Sequence, residues 1–165
     1  MKTKNALLKA IPLQFFAAAL MMLSCNAHAV DIFLYIDGVA GESEDSTHRN
    51  SIDVAGWSAG LKREIDTSTT DGGRTRSSAT IDDLQVDKWI DRSSPALRLG
   101  LAQGKVYATA KLIVRKQTLK GQLEFFVIDM TNVVITKVSA GGNEGDDRLG
   151  ETVSLNFEEI KWTYT

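Results

Sequence analysis

Ile32, Leu34 and Ile36 alternate with Phe33 and Tyr35, placing large apolar side chains on both faces of one extended segment. Period two with two apolar faces predicts a strand covered on each side. An acidic loop, GESEDSTHRN, follows Gly38, and Ile52 and Val54 then lead into Gly56-Trp57-Ser58 as a second strand. Glycine before the tryptophan marks a bulge or a close backbone approach. Lys62–Ser78 is long, polar and carries a Gly-Gly pair, which predicts a loop that is either functional or disordered. Ile81, Leu84, Val86 and Trp89 read as a third strand whose parity breaks at Asp82-Asp83.

Ser94-Pro95 opens the one convincing helix, with Ser94 as N-cap and Pro95 in the first helical position. Leu97 and Leu101 share its face, and Gly104 is placed to end it. Gly100 inside the helix costs about 1 kcal/mol against alanine, so close packing is expected there. Val106–Arg115, Leu123–Met130 and Val133–Val138 read as three more strands. Val153, Leu155 and Phe157 alternate, as do Ile160, Trp162 and Tyr164, but in opposite parity. A β-bulge at Glu158-Glu159 is expected to absorb one residue. Seven or eight strands and one helix predict a mainly β fold, a sandwich or barrel.

The first 29 residues follow another logic. Lys2, Lys4 and Lys9 precede the apolar run AIPLQFFAAALMML, and Ala27-His28-Ala29 supplies small residues at its end. The run is shorter than the about 20 residues a membrane span needs. Positive start, apolar core and small-residue exit predict a signal peptide over residues 1–29, cleaved between Ala29 and Val30. An amphipathic or buried N-terminal helix is the alternative. Cys25 sits in a faint lipoprotein pattern, MLSC, which competes with the Ala27–Ala29 site.

Cleavage leaves one domain, residues 30–165, with 16 basic against 21 acidic residues and no cysteine. That acidic balance argues against a nucleic-acid partner, and the missing cysteines exclude disulfides and thiolate metal sites in the domain. Once the leader is gone, no membrane partner is expected. His48 lies near Asp45 and Ser46, but neighbours in sequence do not make a triad, and an exposed loop residue is the preferred reading. Asn143, Glu144, Asp146 and Asp147 hold carboxylates in a Gly-rich loop without calcium-loop spacing. Turn chemistry fits them better, with Gly141, Gly142 and Gly145 at positive φ. Trp57, Trp89 and Trp162 are expected in the core or at an interface rather than as a stacking platform. No catalytic residue, metal site or cofactor is expected, and the chain is not read as an enzyme.

Two blocks, VDIFLYIDGVAGESEDSTHRNSIDVAGWS at Val30–Ser58 and VSAGGNEGDDRLGETVSLNFEEIKWTY at Val138–Tyr164, resemble the Hcp family, the haemolysin-coregulated proteins of type VI secretion. SSPAL at Ser93–Leu97 and VRK at Val114–Lys116 echo it between them. The resemblance implies two β-sheets closing into a barrel with one flanking helix. It also implies a homo-hexameric ring, stacking into a hollow, secreted inner tube that a sheath drives outward. Sheath, spike and effector proteins would be its partners. Lys62–Ser78 takes the place of the family's ring-stacking loop, so Lys62, Arg63, Arg74 and Arg76 are expected to meet acids of the next ring, among them Glu42, Glu44 and Asp45. The leader departs from the family pattern, since tube proteins await the sheath in the cytoplasm. The alternative is therefore an exported relative, periplasmic or on the cell surface, working as a free ring or binding module.

Overall fold

The computed structural model describes residues 30–66 and 75–165. The expected leader, its cleavage residue Ala29 and Arg74 lie outside the described residues, as does the side chain of Arg76. The described strands are β1 (Val30–Ile36), β2 (Ile52–Ser58), β3 (Leu61–Asp66), β4 (Thr75–Ile81), β5 (Leu84–Trp89), β6 (Val106–Thr118), β7 (Gly121–Gly141), β8 (Gly150–Asn156) and β9 (Glu159–Tyr164). One helix, α1 (Ser93–Gln103), stands among them. The main sheet runs β6-β1-β2-β5-β8-β7, and β6 pairs again with β7. Six strands therefore close a barrel, while β9 lies outside the ring on the edge of β7 and β3–β4 form a separate hairpin.

β7 makes closure possible. Its first part pairs with β6 from Gly121 to Val134, and its last part pairs with β8 from Val134 to Gly141. Such a stagger between neighbours is what closing a twisted sheet demands. The strand is consequently 21 residues long, and the two strands expected at Leu123–Met130 and Val133–Val138 are one. Ile128 and Met130 are buried before Asn132, Val133 and Ile135 after it. Asn132 takes φ 48° at that switch of face.

The parity change between β8 and β9 has the same origin. Val134 pairs with Asn156 and Thr131 with Glu159, so no residue is gained or lost across Glu158. The expected bulge is instead a corner at which both strands change face together. A bulge does occur at Gly56, between Val54 and Trp57. Asp82-Asp83 is a break between sheets: β4 ends at Ile81 and β5 starts at Leu84. The polar stretch expected as a loop carries the two strands of the β3–β4 hairpin, with Leu61 opposite Ile81 at its base.

α1 begins two residues earlier than expected, with Arg92 as N-cap and no side-chain cap bond. Asp91 Oδ1 accepts from the Ser93 amide at 2.8 Å. The Ser94 hydroxyl donates to Glu151 instead of capping the helix. Gly104 ends the helix at φ 60°, its amide reaching the carbonyls of Gly100 and Leu101. Leu97 seats the helix and is fully buried. The close packing expected at Gly100 is present: a Cβ there would collide with the buried Tyr107 ring and hydroxyl. Gly100→Ala is expected to lower stability by about 1–3 kcal/mol through overpacking. Adding Tyr107→Phe, which removes the colliding oxygen, should recover part of that loss in urea denaturation.

Candidate functional site

Two buried cations organise the surface of the barrel. Arg115 projects from β6 on the outer face and is 3 % exposed. Its Nη2 lies 2.6 Å from Asp45 Oδ2 and 2.9 Å from Asp31 Oδ2, while Nη1 donates to Thr47 Oγ1 at 3.1 Å. The guanidinium also stands 4.8 Å from the Phe33 ring centroid. His48 stacks on that ring at 4.6 Å, and its Nε2 lies 3.0 Å from Glu124 Oε1. The loop from 37 to 51 is thus clamped over Phe33, so the second face of β1 is covered there, while Tyr35 on the same face stays 46 % exposed and departs from the expectation. His48 is a part-buried clamp residue, which corrects the expectation of an exposed one.

Lys88 on β5 is the second cation, its side chain wholly buried. Nζ donates to Glu151 Oε1 and Asp91 Oδ1, both at 2.8 Å, and to the Trp89 carbonyl at 2.7 Å. Glu151 also accepts from Arg98 of α1 at 3.1 Å. This network ties β5, β8 and the start of α1 together. It holds Trp89 and Ile90 at one end of the barrel, where both stay more than a third exposed.

Around them lies a recess of about 660 Å³, floored by Trp89, Ile90 and Leu149 and rimmed by Glu42, Glu44 and Asp147. Glu42 Oε1 also accepts from the Arg92 amide at 3.0 Å. Of the three acids expected to act together, Glu42 and Glu44 reach this rim. Asp45 is turned away and committed to Arg115. The glycine-rich loop closes the recess: the Asn143 amide donates to Asp146 Oδ2 at 2.7 Å and the Asp146 amide to the Asn143 carbonyl at 3.2 Å. Turn chemistry is therefore its role, but only Gly145 of the three expected glycines has positive φ, at 96°. Leu149 packs where a Cβ on Gly142 would sit.

The β3–β4 hairpin leaves from the opposite end. Trp89 pairs with Gly150 at the recess end of β5, and Leu84 pairs with Leu155 at the hairpin end, about 17 Å away at roughly 3.4 Å per residue. Leu61 and Ile81 are exposed at its base. Lys62 Nζ lies 3.5 Å from Asp82 within the same chain, and Arg63 is exposed. Sequence reasoning missed Trp89, Ile90 and Leu149 as a shared surface, since their strands meet only in the fold. The alternation of β5 placed Trp89, but nothing local pairs it with Leu149.

The described residues thus form a closed β-barrel with a hairpin at one end and an acidic, apolar-floored recess at the other. The chain belongs to the Hcp family of type VI secretion: the family described as "Type VI secretion system effector, Hcp" matches residues 33–164. It is 40 % identical over 136 residues to "Protein hcp1" of Pseudomonas aeruginosa, covering 82 % of this chain and 83 % of that one. It also resembles Hcp1 from Salmonella typhimurium, at 36 % identity and TM-score 0.69 over 82 % of this chain and 87 % of that one. A structure described as a type six secretion system protein aligns at TM-score 0.76 and 29 % identity, over 82 % and 84 % of the two chains. Hcp proteins are secreted by type VI systems and serve as its structural tube protein.

Asp45 is held well below the ordinary carboxylate value of 3.8, first by its bonds from Arg115 and then by Thr47. At Asp91 burial opposes ionisation, and the bonds from Lys88 and Ser93 outweigh it, so this carboxyl too is lowered. A depressed carboxyl contributes stability that is present above its unfolded value and lost as pH falls through the folded one. Thermal melts should therefore stay level between about pH 7 and 5 on account of these groups and fall below about pH 4. Asp45→Asn is expected to lower neutral stability by about 1–3 kcal/mol and to flatten the acid decline.

Proposed function

We propose that this chain forms hexameric rings that stack head to tail into a type VI inner tube. The hairpin of one ring engages the Trp89–Leu149 recess of the next, and the lumen carries effector proteins. One observation carries the reading: the projecting hairpin and the acidic recess occupy opposite ends of β5, so identical copies can repeat the contact indefinitely. A contact between two different patches of one molecule is heterologous, and with the patches at opposite ends of the barrel it repeats along an axis. Lys62 and Arg63 of β3, Arg76 of β4 and Arg74, which precedes β4 in sequence, complement Glu42, Glu44 and Asp147 at the rim in this reading. Each exposed ion pair contributes only about 0–1 kcal/mol, but a ring presents every copy of the contact at once. Sheath and spike proteins are the partners this role implies.

The Lys2–Ala29 pattern favours a second reading for the route outward. Residues 1–29 act as a leader cut between Ala29 and Val30, and the domain works as a free ring or surface module outside the machine. N-terminal sequencing of extracellular protein, from strains with and without the sheath, separates the two. A first residue of Val30 with secretion persisting in the sheathless strain supports the leader route; loss of secretion supports the tube route. For stacking, reversing Arg63, Arg74 and Arg76 to Glu should shorten tubes in electron micrographs by at least about tenfold without lowering the melting temperature. Reversing Glu42 and Glu44 to Lys in the same protein should restore them. Full-length tubes from the first variant would overturn the proposed contact.

A further inference from the structure

The recess beside Trp89 combines an apolar floor with carboxylates on two sides of it. Trp89 ends β5, and the Ile90 amide donates to the Leu149 carbonyl at 2.8 Å, so the floor is one tied surface. Trp89, Ile90 and Leu149 stay between 40 % and 48 % exposed while lining a cavity of about 660 Å³.

The acids straddle this floor. β5 lies between β2 and β8 in the sheet. Glu42 and Glu44 precede β2 and Asp53 lies on it, whereas Asp147 and Arg148 precede β8. The two rims are therefore two strand spacings apart, about 10 Å. Among the described residues, the carboxylates of Glu44, Asp53 and Asp147 form no hydrogen bond or ion pair. Asp91, also in the lining, is committed to Lys88. Arg148 is the one exposed cation among the described residues of the lining. Both rims are set in advance. Glu42 accepts from the Arg92 amide, the Arg92 guanidinium donates to the Gly41 carbonyl, and the Asn143–Asp146 turn shapes the other side. Walls already in place lower the ordering cost of binding.

An indole face attracts a cation, an apolar floor takes a short hydrocarbon chain, and acids on each side take an ammonium at each end. We infer that the recess binds an aliphatic diamine. Its chain lies on Trp89, Ile90 and Leu149, one ammonium meets Glu42, Glu44 or Asp53, and the other meets Asp147. The hairpin assigned to this recess is basic as well, so a bound diamine displaces it. That control of stacking rests on the stacking reading; the binding itself does not.

Calorimetric titration of the full-length protein tests the site, with α,ω-diaminoalkanes of increasing length each compared with the monoamine of equal length at fixed ionic strength. The best diamine should bind at least about tenfold tighter than its monoamine, and shorter and longer chains should bind less well. This series needs no variant. Glu44→Gln together with Asp147→Asn should weaken the best diamine at least about tenfold at an unchanged melting temperature. Trp89→Leu, which keeps the floor apolar and removes the ring, should weaken it about three- to fivefold. Equal affinity for diamine and monoamine, or a double variant that binds like the native chain, overturns the site, because cations then gather on an acidic protein without it. Micrographs taken with and without the diamine separate the two readings. Shortened tubes uphold the control of stacking. Tubes of unchanged length around a bound diamine leave the site standing and overturn the recess as the stacking contact.

Discussion

Barrel closure by one long strand is the constraint from which the other features follow. β7 bonds to β6 over its first part and to β8 over its last. To do both it must exceed its neighbours in length and turn its apolar face over at Asn132. The strand opposite has to turn with it, which divides β8 from β9. β9 then lies beyond the closed ring, and β4 peels away from it to join β3. The projecting hairpin, the open edge and the recess are thus consequences of how a twisted six-stranded sheet meets itself.

Two buried cations hold the surface of that barrel in place. A buried charge is tolerated only when its hydrogen-bonding capacity is met. Arg115 meets this with Asp31, Asp45 and Thr47, and Lys88 with Asp91, Ser94, Glu151 and a carbonyl. Each gathers segments far apart in sequence: Arg115 the first loop and β1, Lys88 the start of α1 and β8. Directional bonds of this kind fix the position of a loop more sharply than apolar contact does.

A protein that works by repeating itself needs complementary surfaces in fixed relative orientation more than it needs a reactive group. Among the described residues the chain presents a hairpin at one end, an acidic apolar recess at the other and the outer edge of β9 on the flank. Half-exposed Trp89 and Trp162 belong to different surfaces, which accords with large amphipathic side chains serving association. The His48 environment points the same way, since its imidazole clamps a loop through Phe33 and Glu124.

Much of the architecture was legible in the chain itself. Alternation at Ile32–Ile36 and Val153–Phe157, Gly56 before Trp57, Pro95 after Ser94 and Gly104 after the helix are local signals, and local geometry obeys them. Family membership was legible too, because the Val30–Ser58 and Val138–Tyr164 blocks hold a distinctive order of residues. Other features were decided only in three dimensions. Leu123–Met130 and Val133–Val138 fused into one strand because closure required its length, and the suspected bulge at Glu158 became a corner because its partner turned as well. Asp45 left the acidic rim for Arg115, and Trp89 met Leu149, across separations of 70 and 60 positions in the chain. Periodicity reports which side of an element is apolar; which element covers that side depends on strand pairing, and pairing between distant segments leaves no mark in either one alone.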